Sequence, residues 1–127
     1  MANQAKILLF NVSEERKSSI EKLCKSLSIR ITVTTIHLNM YGQSMGYLAG
    51  ISGFQRNSNN YTGEEFESEM LIFSGVDSDL MDEFLDGMKK NGIAPVFLKA
   101  MITPTNIFWT PVKLFEELKK EHQALHN

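Results

Sequence analysis

At 127 residues, 43% apolar and 22% charged, the chain has the size and composition of one globular domain, residues 1–127, with a single core. A net charge of −2 provides no basic field for phosphate backbones, so nucleic acid is not expected as a partner. No apolar run approaches the ~18 residues of a membrane span, and the lone Cys24 cannot form an internal disulfide; both suit a reducing cytoplasm.

The N-terminal MANQAKILLFNV lacks the long apolar region and cleavage site of a signal peptide. Residues 6–12, KILLFNV, instead read as a strand buried on both faces. Ser13 is a helix N-cap, with Glu14 and Glu15 at the positive helix end. Ile20, Leu23, Cys24 and Leu27 then form an amphipathic stripe, which makes Cys24 a core residue rather than a reactive thiol. Residues 29–36, IRITVTTI, alternate as a half-exposed strand, with Ile29, Ile31 and Val33 on one side. Glycines at 42, 46, 50 and 53 weaken any helix over 39–54, since each interior glycine costs about 1 kcal/mol against alanine. Residues 55–63, QRNSNNYTG, are expected to form a mobile loop. Glu64, Glu65, Glu67 and Glu69 read as a solvated acidic face.

A second buried strand occupies 70–76, MLIFSGV. Asp77 caps the next helix, Val76 and Met81 form a staple, and Leu80, Met81, Phe84, Leu85 and Met88 give its apolar stripe. Lys89, Lys90 and Gly92 end it. Pro95 opens an edge strand over 95–101. A last helix, roughly 111–124, buries Leu114, Phe115, Leu118 and Leu125.

Alternation of strands and helices means an α/β fold built on a four-stranded sheet, with strands 1 and 3 central. Two topologies share that feature: the ferredoxin-like plait and a small open parallel sheet of order 2-1-3-4. The glycine-spaced segment makes a poor crossover helix, which favours the plait. A plait has helices on one face only, so the other must be covered by the extra helices or by a second subunit, and a homodimer is expected.

Residues 102–111, ITPTNIFWTP, carry two prolines, three threonines, one asparagine and the only tryptophan. On a structural reading, Pro104 and Asn106 make a turn, Thr110 caps the last helix with Pro111 at its first position, and Phe108 and Trp109 pin that helix to the sheet. On a functional reading, Thr103, Thr105, Asn106 and Thr110 supply uncharged donors beside a helix N-terminus and Lys99 a charge, and these residues with Trp109 form the candidate site for a small anionic ligand. His122 and His126 have metal-like spacing without a third ligand, and no metal is expected. The chain has no nucleophile elbow, phosphate loop or dinucleotide fingerprint, so no cofactor is expected either.

Residues 98–122, LKAMITPTNIFWTPVKLFEELKKEH, resemble the C-terminal signature of domain-of-unknown-function family 3783, small uncharacterised bacterial proteins. The matching positions are Lys99, Thr103, Asn106, Trp109, Leu114, Glu117 and Glu121, about the last quarter of the chain. The resemblance implies that the Thr–Asn pair matters and assigns no activity. Three functions are therefore weighed. The first is a non-enzymatic binding or regulatory module with its site at 99–110, residues 55–63 serving as a lid. The second is a small enzyme using His37 with Thr103 or Asn106. The third is a structural partner protein.

Overall fold

The computed structural model describes residues 4–125. Its elements are β1 (Lys6–Phe10), α1 (Glu14–Ser26), β2 (Thr32–Thr35), a 3₁₀ turn (Leu38–Met40), α2 (Met45–Leu48), β3 (Met70–Ser74), α3 (Ser78–Lys90), β4 (Leu98–Met101), a second 3₁₀ turn (Asn106–Phe108) and α4 (Pro111–Leu125). The strands form one sheet of order β2-β1-β3-β4, the second of the two topologies the sequence allows, and the plait is not adopted. The sheet is mixed, not all parallel: β1–β2 and β3–β4 are parallel, and the central β1–β3 pair is antiparallel.

The antiparallel centre follows from the 36–69 connection. Phe10 pairs with Met70, so β3 starts at the end of the sheet where β1 and β2 finish. A parallel neighbour would need a helix running the full length of the sheet. The glycine-spaced segment makes only a 3₁₀ turn and the four-residue α2, and the chain returns to the end it left. At Gly46 an added Cβ would lie 2.6 Å from the Phe54 ring, so the close turn here requires glycine.

The two parallel units are copies of one pattern. The N-caps Ser13 and Asp77 correspond, each accepting a backbone N–H three residues on, from Arg16 at 3.2 Å and from Leu80 at 2.8 Å. Past the helix ends, Ser28 and Gly92 take matching left-handed conformations, φ 56 and 69°. Asn11 and Gly75 do the same after β1 and β3, φ 58 and 67°. Leu8 pairs with Ile72 at the middle of the antiparallel ladder, and Lys6–Ser74 exchanges with Met70–Phe10. A pseudo-twofold therefore passes through the Leu8–Ile72 pair, normal to the sheet. The repeat is faint in the sequence because the matched residues are mostly similar in kind and not identical.

Both faces of the sheet are covered by this chain. On one, α1 and α3 bury Ile7, Leu9, Leu71 and Phe73 with Ile20, Leu23, Cys24, Phe84 and Met88. On the other, the 36–69 connection and α4 bury Leu8, Phe10, Met70 and Ile72 with Tyr41, Met45, Phe66, Leu114 and Phe115. Phe66 stacks on Phe115 at 4.2 Å and on Tyr41 at 4.5 Å between ring centroids. With both faces covered, the bare face from which a homodimer was expected does not exist. Among the described residues no helix is long and apolar enough to cross a membrane.

Several local expectations change. β4 begins at Leu98, three residues after Pro95, and Leu125 is 81% exposed at the end of α4. The 55–63 segment is pinned by fully buried Gln43, which donates to the carbonyls of Asn57 and Asn59 at 3.1 and 3.2 Å and accepts from the Asn57 N–H at 2.8 Å. Glu67 pairs with Lys119, and the two Glu69 oxygens accept from Arg16 Nε and Nη2, at 3.0 and 2.8 Å. Two of the four carboxylates thus tie the connection to α4 and α1.

Candidate functional site

The 102–111 segment is a corner in which the side chains of Thr103, Asn106 and Thr110 bond the local backbone. Asn106 is 7% exposed. Its Nδ2 donates to the Met101 carbonyl at 3.0 Å, and its Oδ1 accepts from the Thr103 N–H at 2.9 Å. Thr103 Oγ1 accepts from the N–H groups of Asn106 at 3.0 Å and Thr105 at 3.3 Å. Thr110 Oγ1 accepts from Lys113 N–H at 3.3 Å, as a helix N-cap should. The Trp109 carbonyl accepts from the Met45 N–H at 2.8 Å, which ties the corner to α2, and Lys113 Nζ lies 4.8 Å from the centre of the Trp109 ring. Phe108 is 70% exposed and meets Phe54 rather than the sheet.

Lys99 stands apart from this corner. It pairs in register with Leu71, which places it on the face packed by α1 and α3, whereas Trp109 joins the opposite face. Leu71 corresponds to Ile7 under the pseudo-twofold, and Ile7 pairs with Val33. Lys99 therefore occupies the position that Val33 fills with a methyl-bearing side chain at the other edge. Its ammonium donates to the Val96 carbonyl at 2.9 Å, and it has no carboxylate partner among the described residues. Beside it lies a pocket of about 590 Å³ between α3 and β4, walled by Leu71, Leu85, Met88, Ile93 and Val96, with Lys89 at its rim. An inward lysine on an edge strand also discourages edge-to-edge pairing. That role alone does not call for an apolar pocket behind it.

His37 lies elsewhere again. It follows β2, and Thr103 follows β4 at the corresponding place: Ile36 N–H donates to the Leu9 carbonyl as Ile102 N–H does to Phe73. β2 and β4 are opposite edges running in opposite directions. Three strand spacings and a strand length separate the two ends by roughly 20 Å. His37 and the Thr103–Asn106 turn do not share a site, and the acid–base pairing weighed above has no geometry to support it. His37 instead borders a crevice of about 360 Å³ at the ends of β1 and β2, with Asn11, Ser13, Thr35, Glu65 and Glu69.

His126 lies outside the described residues, and His122 packs its ring against Phe97 at 5.7 Å. No group of three His, Cys, Asp or Glu side chains converges for a metal among the described residues. Cys24 is buried, and burial, then the charge of Glu21, raises its thiol pKa, in keeping with a core residue. The pocket walls beside Lys99 were missed in the sequence because they belong to the stripe of α3 and to β3, which read simply as core. The usable signal was the lysine within LKAM, an inward position in an otherwise apolar strand.

No curated protein and no solved structure matches the chain. Residues 69–125, spanning β3, α3, β4 and α4 and so reaching well upstream of the signature at 98–122, match the family described as Domain of unknown function (DUF3783), to which this half of the chain is similar.

Proposed function

We propose that the protein is a small cytoplasmic binding module whose ligand is an amphipathic anion, held in the pocket between α3 and β4. One observation carries this reading. Lys99 places an ammonium group with no carboxylate partner among the described residues on an apolar sheet face, at the mouth of a pocket of about 590 Å³. That volume lies within the range of small-molecule sites, and apolar walls with one oriented charge are their usual make-up. A medium-chain carboxylate fits this chemistry. Its tail would cover Leu85, Met88 and Ile93, and its head would meet Lys99, with Lys89 near by. The ammonium makes one hydrogen bond and has two more N–H groups to give.

Thermal melts with octanoate and with octanol test it. At about 100 times the dissociation constant, a ligand adds roughly 2.7 kcal/mol. For a chain of 127 residues that is on the order of 10 °C. Octanoate is expected to stabilise more than octanol. Lys99→Met should abolish the difference, and Leu85→Trp should block both. An octanoate shift of equal size in Lys99→Met, or none at millimolar concentration, would remove the basis of the proposal.

A further inference from the structure

The two edges of the sheet differ. Thr32 and Ile36 donate their N–H groups to the Ala5 and Leu9 carbonyls. By alternation, the N–H and C=O groups of Val33 and Thr35 point away from β1, and β2 has no neighbouring strand on that side. At the other edge Ile102 donates to the Phe73 carbonyl, so Met101 and Thr103 point outward. There the Asn106 carboxamide donates to the Met101 carbonyl and accepts from the Thr103 N–H, as the peptide group of a further strand would. Pro95 precedes β4 and Lys99 lies within it, and both discourage pairing. The β2 edge has no such device. Residues 31–36, ITVTTI, are all β-branched and uncharged, a composition suited to pairing with another strand.

The helix above this edge carries a matching charge pattern. α1 packs over the β1–β2 half of the sheet, and its Leu23 and Leu27 meet Gly87 of α3. Glu14, Lys17, Glu21 and Lys25 lie roughly 120–180° round the helix from Leu23, on the side turned away from α3 and toward the β2 edge. Glu14, Glu21 and Lys25 are exposed, Lys17 is half-buried, and none of the four forms an ion pair among the described residues. The signs alternate along the stripe. An antiparallel copy of the same stripe is therefore its complement: Glu14 meets Lys25, and Lys17 meets Glu21, each pair occurring twice.

We infer that β2 pairs antiparallel with β2 of a second copy, about a twofold axis normal to the sheet at Thr34. Val33 then bonds the partner's Thr35, and the two four-stranded sheets become one continuous sheet. Strands lie about 4.8 Å apart, and α1 sits between β1 and β2. The two α1 helices would then lie roughly 10 Å apart, a usual packing distance. An unrelated extended peptide would fit the same backbone groups, but a second copy also brings the complementary α1 stripe. This dimer uses an edge of the sheet and leaves both covered faces as they are.

Analytical ultracentrifugation of the full chain over a micromolar concentration series is the test. A species of twice the 14.4 kDa chain mass is expected, dissociating more readily as salt rises. Amide exchange at Val33 and Thr35 should slow as the dimer forms. Lys17→Glu/Lys25→Glu and Glu14→Lys/Glu21→Lys each give the stripe a single sign, with circular dichroism to show that they fold. Each alone should dimerise at least about tenfold more weakly, and an equimolar mixture should recover the dimer. A monomer throughout the series would overturn the inference. So would a dimer that both charge variants keep unchanged, a mixture that does not recover it, or Val33 and Thr35 amides that exchange equally fast in monomer and dimer. The β2 edge lies across the sheet from Lys99, so neither proposal depends on the other.

Discussion

Asn106→Ala is the sharpest test of the corner between β4 and α4. The substitution removes a donor to the Met101 carbonyl at 3.0 Å and an acceptor from the Thr103 N–H at 2.9 Å, in a side chain 7% exposed. Each neutral hydrogen bond contributes about 1 kcal/mol, and stranding its half-buried partners adds to that, so a loss of roughly 2–3 kcal/mol is expected. The unfolding entropy for this length is about 0.27 kcal/mol/K, from ~2.1 cal/mol/K per residue. The melting temperature should therefore fall by roughly 7–11 °C. Calorimetry and urea unfolding read the two quantities independently. Asn106→Asp sharpens the test, because the new carboxylate keeps the acceptor and turns the donor into a charge facing a carbonyl. Its folded-state pKa should be raised, so stability is retained below the ordinary aspartate value and is lost as pH rises through it. A melt of Asn106→Ala within about 2 °C of the parent, with a flat pH profile for Asn106→Asp, would refute the corner as a structural device.

Gln43→Leu should free the 55–63 segment, since all the bonds of its buried carboxamide go to Asn57 and Asn59; faster hydrogen exchange and new proteolytic cuts there, with the sheet still protected, are the expected result. Burial, then Glu21, raises the Cys24 pKa above its ordinary 9.0. A raised pKa favours the folded state below the unfolded value and withdraws that contribution as pH climbs toward the folded one. Cys24→Ala should therefore flatten the fall of stability above about pH 9, measured by urea unfolding. Leu125→Ser, at an 81% exposed position, should change the melting temperature by less than about 2 °C, whereas Leu114→Ala, 2% exposed, should cost roughly 2–5 kcal/mol.

The elements were legible where local chemistry decides them. Continuous apolar runs at 7–10 and 70–73 became strands buried on both faces, and Ser13, Asp77, Gly92 and Thr110 cap helices as their side chains or conformations require. Strand direction was not legible. An apolar pattern is the same read either way, and the antiparallel β1–β3 pair depends on where the whole 36–69 connection returns. Gln43 shows the same limit. A glutamine between glycine and serine reads as surface, and only the loop folded around it makes it a buried anchor. At the candidate site, the six residues chosen from sequence fall into two groups on different parts of the sheet. Lys99 borders a pocket, and Thr103, Thr105, Asn106, Trp109 and Thr110 build a corner. Adjacency in sequence hid that split, because a strand residue and the loop after it can face opposite sides.

The internal pseudo-twofold turns this into a general argument about which residues serve the fold. Positions filled alike in both units, such as the N-caps Ser13 and Asp77 or the left-handed Ser28 and Gly92, answer a backbone demand that both units share. Positions filled differently cannot be explained by that demand. Val33 and Lys99 have the same register and face the same helical layer, so a lysine at one of them is not required by the βαβ unit. His37 and Thr103 diverge in the same way: Thr103 begins a plugged corner and His37 borders an open crevice. Exchanging the symmetric pair makes this measurable. If Lys99→Val is at least as stable as the parent, the lysine is kept against the interest of the fold, as a ligand group would be. If it is less stable, Lys99 serves β4 itself through its bond to the Val96 carbonyl, and the pocket beside it loses its claim.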